Sequence, residues 1–197
     1  MNKPHVLQHD LFGDGNAPSA SVHRLFLALL PDECVRAALA RTAAALRARQ
    51  GPPAGWIDPL RYHATVHFLG DHPSPRPDLV AAVGRAGDVL RGEAFDWTLD
   101  RVRSFHGRRP PRVLCGSVLP EPLQALWGRW REALLRTVPG LRLESRFVPH
   151  VTLAYGRELL PETEVEPVRW RVSGVALVQS VVGRHDYRTL AGWPLHD

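Results

Sequence analysis

The sequence contains little cysteine. Cys34 and Cys115 are its only cysteines, and neither has another cysteine close by in the chain. That spacing argues against a disulfide framework and against a metal site built from cysteines alone. Because unpaired cysteines are typical of reducing compartments, we expect a cytoplasmic protein.

Long hydrophobic runs are missing as well. No stretch approaches the ~18 consecutive apolar residues that a membrane-spanning helix requires, so we expect no contact with a membrane. The first residues also lack the basic segment followed by an apolar segment that marks a secretory leader. The 197 residues are 44% hydrophobic and 23% charged, which is typical of a globular protein.

Lysine is nearly absent, because Lys3 is the only lysine and every other cationic side chain besides histidine is arginine. Guanidinium groups bind phosphate through paired hydrogen bonds and stack on bases. The formal net charge of +5 permits a nucleic-acid partner without requiring one.

Three motifs of common enzyme classes are absent. The sequence has no phosphate-binding loop, no Gly-x-Gly-x-x-Gly and no Gly-x-Ser-x-Gly. Their absence argues against a P-loop nucleotidase, a dinucleotide-dependent oxidoreductase and a serine hydrolase of the α/β class.

Residues 1–22 are polar and glycine-rich without periodicity, which predicts a mobile tail ahead of a single domain over residues 23–197. Gln8, Asp10, Leu11 and Phe12 belong to a pentapeptide that resembles the one by which some bacterial proteins dock on the DNA sliding clamp. A match of five residues is weak, and a tail without a partner is the favoured interpretation.

Two short stretches share the pattern His-x-Thr-aliphatic, one beginning at His63 and the other at His150. Each lies in an alternating run, which predicts a strand with one face on a core. Residues i and i+2 share a face of a strand, so His63 is expected beside Thr65 and His150 beside Thr152. By the same alternation, His67 is expected on the face of His63.

The order strand, proline-acid helix start, helix and His strand occurs twice. Pro31 and Pro120 are 89 residues apart, and His63 and His150 are 87 apart. This agreement is typical of a diverged internal duplication. It predicts two lobes whose His strands face each other across a cleft.

Two histidines across a cleft suit displacement at phosphorus without a metal ion. The unperturbed pKa of histidine is ~6.5, so one ring can act as a base and the other as an acid near neutral pH. Thr65 and Thr152 would donate hydrogen bonds to phosphate oxygens, at ~1 kcal/mol each. One His-x-Thr copy is an ordinary strand sequence, and the second copy is what favours a site.

Zinc is the competing chemistry, because His63 and His67 have the i, i+4 spacing of a helical metal pair. In a strand that spacing separates the rings by ~13 Å. The glutamate that the helical zinc motif requires after its first histidine is also missing. We therefore expect neither a metal nor any other cofactor.

The densest basic stretch contains Arg101, Arg103, Arg108, Arg109 and Arg112. It is interpreted either as a solvated hairpin tip or as a cleft mouth that holds a polyanion. In the second interpretation Phe105 stacks on a base, with Arg109 among the phosphate-binding cations.

The paired motifs resemble the 2H phosphoesterase superfamily, and more closely its bacterial RNA 2′,3′-cyclic phosphodiesterases, also called 2′-5′ RNA ligases. The resemblance runs from Arg24 to the end of the chain and includes HATVHFLG, PPRVLCGSV and FVPHVTLAYG. It implies an α+β, bilobal fold: two pseudo-symmetric lobes of antiparallel sheet, helices outside, and both histidines in a central cleft.

By this resemblance His150 is the general base that activates water, and His63 is the general acid that protonates the departing ribose oxygen. Thr65 and Thr152 bind the phosphate, and the product is a 2′-phosphomonoester. The reverse reaction joins RNA ends. The implied partner is an RNA end or a cyclic nucleotide, and we expect a monomer.

Two positions depart from the family pattern. His67 stands where many members have lysine, and Tyr155 stands where many have arginine. Arg157 or the turn at residues 108–112 is expected to supply the missing charge. His67, Tyr155 and Arg157 are therefore added to the candidate substrate-binding residues.

Three functions remain open from the sequence. The first is metal-independent hydrolysis of RNA 2′,3′-cyclic phosphate ends. The second keeps the chemistry but takes a small cyclic nucleotide such as ADP-ribose 1″,2″-cyclic phosphate. The third is a non-catalytic RNA-binding module, which the intact His-x-Thr pair disfavours.

Overall fold

A computed structural model describes residues 21–50, 54–184 and 187–197. The clamp-like motif at residues 8–12 lies outside these residues, as does the predicted tail apart from its last two positions. The described elements, in chain order, are β1 (His23–Leu29), α1 (Glu33–Gln50), β2 (Gly55–Trp56), β3 (Ala64–His72), α2 (Pro77–Asp88), β4 (Phe95–Ser104), β5 (Pro111–Cys115), α3 (Glu121–Thr137), β6 (Val151–Tyr155), β7 (Thr163–Val172), β8 (Gly174–Val181) and β9 (Tyr187–Pro194).

The strands form one antiparallel sheet in the order β7-β4-β5-β6-β3-β1-β8-β9, with β2 added at β6. The two His strands, β3 and β6, lie side by side at its centre. Three strands flank each of them on the outside, so the sheet has two matching halves. This arrangement confirms the predicted α+β fold with two pseudo-symmetric lobes of antiparallel sheet.

The two halves share a hydrophobic core on the helical face of the sheet. Leu27 of β1, Trp97 of β4 and Leu153 of β6 are fully buried members of this core. Helix α1 packs against β7, while α3 packs against α2 and β3. Each of these two helices therefore covers the half of the sheet opposite to the strand that precedes it in the chain.

The helices begin and bury their faces for local reasons. Asp32 caps α1, because its carboxylate accepts a hydrogen bond of 2.8 Å from the backbone N–H of Val35. In α3, Leu123, Trp127 and Trp130 recur at helical spacing and are buried. No helix in the described part of the chain is both long and apolar enough to cross a membrane.

The other face of the sheet carries a smaller apolar cluster made of strand residues only. It contains Phe26, Ala28, Ala176 and Val178, with Phe68 and Tyr187 packed against it. We call this side of the sheet the open face.

A β-bulge interrupts each His strand shortly after its His-x-Thr motif. Consecutive residues of β1 pair with Thr65 and His67, so Val66 is an extra residue in β3. Strand β6 has the same irregularity at Leu153, the equivalent position. An extra residue reverses the alternation of faces beyond it. His67 therefore turns towards the helices, whereas Phe68 turns to the open face.

The alternating sequence pattern around the first motif covers residues 61–69, but strand β3 begins only at Ala64. Pro59–Arg61 form a 3₁₀ turn, and the Asp58 carboxylate caps it by accepting a hydrogen bond of 2.9 Å from the Leu60 N–H. His63 therefore lies between this turn and the first residue of β3.

Candidate active site

The two His-x-Thr motifs meet where the halves of the sheet join. The join contains the antiparallel pair Ala64–Val151. His63 immediately precedes one member of this pair, and His150 immediately precedes the other. Both histidines therefore lie at the centre of the sheet.

Antiparallel register relates the four motif side chains. Extended from the central pair by one position, it sets His63 opposite Thr152 and Thr65 opposite His150. Residues directly opposite on one face have Cβ atoms ~4.5–5.5 Å apart. All four side chains are partly exposed, whereas Ala64 and Val151, which separate the histidine and the threonine of each motif, are buried. The histidines therefore occupy one diagonal of a four-residue cluster, and the threonines occupy the other.

Each histidine ring is held in the same way. The Nδ1 of His63 lies 2.8 Å from the carbonyl oxygen of Arg61, and the Nδ1 of His150 lies 2.7 Å from that of Val148. A carbonyl can only accept, so Nδ1 carries the hydrogen and donates it. In the neutral ring Nε2 is then the basic atom. This fixes the tautomer that acid–base chemistry at Nε2 requires.

Aromatic rings enclose His63 on the open face. Its ring centroid lies 4.9 Å from that of Phe26 and 5.3 Å from that of Tyr187, the latter in an edge-on arrangement. The guanidinium of Arg61 lies over the Tyr187 ring, 4.8 Å from its centroid. His63 is thus surrounded by apolar surface with a cation close by.

This environment disfavours the charged form of His63. Burial lowers the pKa of His63 to about 4, the charges of His150 and Arg61 lower it too, and the hydrogen bond to the Arg61 carbonyl opposes them. The ring is therefore neutral at pH 7 without a ligand.

His150 also lies beside an aromatic ring and an arginine, which are different residues from those beside His63. The Phe105 ring meets it edge-on, with centroids 4.9 Å apart, and the Arg103 guanidinium lies 5.3 Å from the Phe105 centroid. Burial lowers the pKa of His150, and so does the charge of Arg103, against the hydrogen bond to the Val148 carbonyl. The structure thus brings the sequence candidate Phe105 to the second histidine.

The expectation that His67 shares the face of His63 is wrong. Beyond the bulge, His67 is only 2% exposed, stacks on Trp127 of α3 and donates from Nε2 to the Trp127 carbonyl at 2.9 Å. The sequence showed alternation but not the extra residue that reverses it. A side chain enclosed on the helical face does not reach the histidine pair, so His67 belongs to the core.

Burial of His67 predicts a dependence of stability on pH. Burial lowers its pKa to about 4, and the charge of Arg131 adds to this. The unfolded chain, with a pKa of ~6.5, binds the proton first, so stability is present above pH 6.5 and lost as the pH falls towards 4. Between pH 7 and pH 5, urea unfolding of the wild type should lose ~1–2 kcal/mol more than that of His67→Asn. Equal losses in the two proteins would show that His67 does not titrate in this way.

The other sequence candidates lie further along the sheet. Tyr155 is buried in β6, where its strand partners are Gly55 and Pro111. Arg109 packs against Gly55, and Arg157 is exposed beyond the end of β6. Their contact with a substrate remains a prediction.

Sequence reasoning missed four residues around the histidines: Phe26, Arg61, Tyr187 and, as a site residue, Arg103. Arg61 could have been found, because it lies two residues before His63 in the same alternating run. Tyr187 is 124 positions from His63, and only the order of the strands brings them together. No local pattern reveals such a contact.

The described residues contain a cavity apart from this cluster and no cluster of potential metal ligands. A cavity of about 430 Å³ is lined by residues 91–95 and by α3, and none of the predicted site residues borders it. Among residues 21–50, 54–184 and 187–197, no three His, Cys, Asp or Glu side chains are grouped so that they could hold a metal ion.

Comparison with solved structures shows what the fold is similar to. E. coli LigT complexed with ATP matches with a TM-score of 0.72 and 22% identity, covering 89% of this chain and 99% of that one. A structure described only as a phosphoesterase matches with a TM-score of 0.74 and 24% identity, covering 89% and 99%. TT0787 of Thermus thermophilus matches with a TM-score of 0.69 and 25% identity, covering 87% and 97%.

A family model supplies the sequence relationship. No curated protein matches the sequence, but the model of the 2′-5′ RNA ligase superfamily matches residues 35–184. That span includes both His-x-Thr motifs and most of the sheet. The chain therefore belongs to the 2′-5′ RNA ligase superfamily, the 2H phosphoesterases.

Proposed function

We propose that this protein hydrolyses the 2′,3′-cyclic phosphate ends of RNA to 2′-phosphomonoesters, using His63 and His150 as an acid–base pair. The observation that carries the proposal is the matched hydrogen bonding of the two rings. Each Nδ1 donates to the carbonyl two residues earlier, which leaves both Nε2 atoms for the substrate. Two such atoms on one diagonal suit opposite sides of a phosphorus atom.

The proton transfers balance in one displacement. His150 Nε2 accepts a proton from water as the water oxygen bonds to phosphorus. The bond between phosphorus and the ribose 3′ oxygen breaks, and protonated His63 gives that oxygen its proton from Nε2. The 2′ ester remains. Thr65 and Thr152 donate to the phosphate oxygens from the other diagonal.

The bound substrate changes the protonation of His63. Its pKa of about 4 leaves it neutral in the free protein, yet a general acid must carry a proton. A negative phosphate beside the ring favours the imidazolium and raises its pKa. Substrate binding therefore favours the protonated form of His63, which is the general acid. Arg103 helps to keep His150, the base, neutral.

Nucleotide recognition is supported by the aromatic rings and arginines around the pair. Phe105 and Tyr187 each expose part of a ring next to a histidine, and bases stack on such surfaces. E. coli LigT has been solved with 3′-AMP and with phosphate. Its fold is that of this chain, and we carry a nucleotide ligand over as part of the proposal.

The test is an assay in EDTA on a short RNA with a 2′,3′-cyclic phosphate end, in parallel with ADP-ribose 1″,2″-cyclic phosphate. We expect higher kcat/KM on the RNA and a 2′-phosphate at its product end. Preference for the ADP-ribose compound would move the function to small cyclic nucleotides. Salt-sensitive RNA binding without turnover of either compound would indicate a binding module. Reverse 2′-5′ ligation is tested by adding an RNA with a 5′-hydroxyl.

A further inference from the structure

The same three-part arrangement occurs on both sides of the active site. His63 meets the Tyr187 ring at 79°, and Arg61 lies over that ring. His150 meets the Phe105 ring at 88°, and Arg103 lies over that ring. The paired residues come from different strands and loops in the two halves. Because both histidines have an edge-on aromatic ring and an arginine stacked on that ring, we expect that arginine to have the same role at each histidine.

Arg103 can reach the phosphate position. In the sheet it pairs with Val113, and Val113 pairs with Thr152. Two strand spacings separate Arg103 from Thr152, ~10 Å between backbones, and the buried Val113 between them is small. An extended arginine side chain covers most of that distance. Its charge already acts on His150.

The guanidinium of Arg103 is incompletely paired. Its Nη1 lies 3.6 Å from a Glu162 oxygen, longer than a good hydrogen bond. Its Nε is buried without a hydrogen-bond partner among the described residues. The Cys115 thiol also forms a side-chain hydrogen bond with Arg103. Arg103 thus keeps donors that a phosphate oxygen could satisfy.

Arg61 is similar on the other side. Its Nη2 donates to the Tyr187 hydroxyl at 3.4 Å, and its Nε is buried with no hydrogen-bond partner among the residues described. It lies two residues before His63 and acts on that ring through its charge. Stacking on Tyr187 holds the guanidinium beside the histidine instead of letting it extend into solvent.

The chemistry requires more positive charge than the motif side chains provide. As water adds to the cyclic phosphate diester, its single negative charge grows towards two on the non-bridging oxygens. One histidine must be neutral to act as the base, and the threonines are neutral, so the motif offers at most one positive charge. Active sites usually stabilise such developing negative charge with cations that are already positioned next to it.

We infer that Arg61 and Arg103 form a two-sided cation clamp on the reacting phosphate, each placed by the aromatic ring on which it stacks. The inference rests on the proposed function and names the groups that bind the phosphate oxygens there. Each arginine donates N–H groups to a non-bridging oxygen on the side of its own histidine. Arginine suits this role because its planar donors match phosphate geometry.

The first test measures binding of inorganic phosphate through the histidine NMR signals. Arg61→Gln and Arg103→Gln should each weaken phosphate binding ~10-fold or more. Arg171→Gln is the matched control, since Arg171 is an exposed strand arginine on β7 that pairs with Asp96 and Asp197, away from the histidines. It should bind phosphate as the wild type does. Unchanged binding in both site variants, or equal weakening in the control, would overturn the clamp.

The second test uses turnover and titration. On the RNA cyclic phosphate, each site variant should lose ~10²–10³-fold in kcat. The pKa of His63 should rise in Arg61→Gln, and that of His150 should rise in Arg103→Gln, because a nearby cation has been removed. Unfolding would instead raise the pKa values of both histidines towards ~6.5 in either variant. Turnover within about twofold of wild type in both variants would contradict the clamp. No turnover by the wild type would contradict the proposed function, and phosphate binding would still decide on the clamp.

Discussion

His150→Ala is expected to hydrolyse an RNA 2′,3′-cyclic phosphate ~10²–10⁴-fold more slowly than the wild type, and His63→Ala is expected to lose as much. Each substitution removes the Nε2 that transfers a proton on one side of phosphorus. Both rings lie at the join of the two sheet halves without forming part of the hydrophobic core. The fold should therefore survive, as circular dichroism and thermal unfolding can show.

Asparagine variants separate catalysis from local structure. The amide nitrogen of Asn at position 63 or 150 can still donate to the carbonyl that Nδ1 now contacts, but it cannot carry a proton near neutral pH. His63→Asn and His150→Asn should thus be as slow as the alanine variants. His196→Ala, an exposed histidine near the end of the chain, should be as fast as the wild type. Near-normal turnover by His150→Asn would reject the base assignment.

Gly87→Ala is expected to lower the free energy of unfolding by ~1–3 kcal/mol. A Cβ at this position would collide with the Trp193 ring and come within 2.6 Å of Trp130 Cη2. These two indoles pack edge-on with centroids 4.8 Å apart, joining β9 to α3 over the last turn of α2. The Trp193 Nε1 also donates to Asp88 at 3.2 Å. The ring can move only by giving up these contacts.

Gly84→Ala in the same helix is the matched control. No atom outside the helix lies within 4 Å of a Cβ built there, so the substitution adds helix propensity without a clash. It should raise the free energy of unfolding by ~0.5–1 kcal/mol. Urea unfolding of both variants measures the difference. Equal free energies of unfolding for Gly87→Ala and Gly84→Ala would contradict the close packing of Trp193 on α2.

The parts of the fold that depend on local pattern were predictable. Alternation in HATV and HVTL and the repeated proline-acid helix starts were enough to predict two equivalent His strands, and the sheet has them at its centre. The bounds of the strands were less predictable. A capped 3₁₀ turn at Pro59–Arg61 replaces the first residues of the alternating run before β3. The pattern also predicts a single strand near residues 169–179, where the structure has two strands, β7 and β8.

The errors arise where pairing between distant segments decides the outcome. His67 leaves the site because β1 pairs with β3 around an extra residue, which no periodicity in β3 records. Tyr187 joins the site because β9 follows β1 and β8 across the sheet. The basic stretch was seen, but its importance at Arg103 depends on the Phe105 ring and on the strand order. Such features need the assembled sheet.

The most direct test of the acid–base pair is the pH dependence of kcat/KM on the RNA cyclic phosphate, for the wild type and for each single histidine variant. The wild-type profile reports the pKa values of the free protein. Both histidine pKa values are lowered, so we predict a bell with its maximum below pH 6.5. The pH of this maximum does not depend on which of the two histidines is the acid. His63→Ala and His150→Ala should each lose one limb of the bell. A wild-type profile that stays flat between pH 4 and pH 8, or a variant that keeps both limbs, would contradict the two-histidine mechanism.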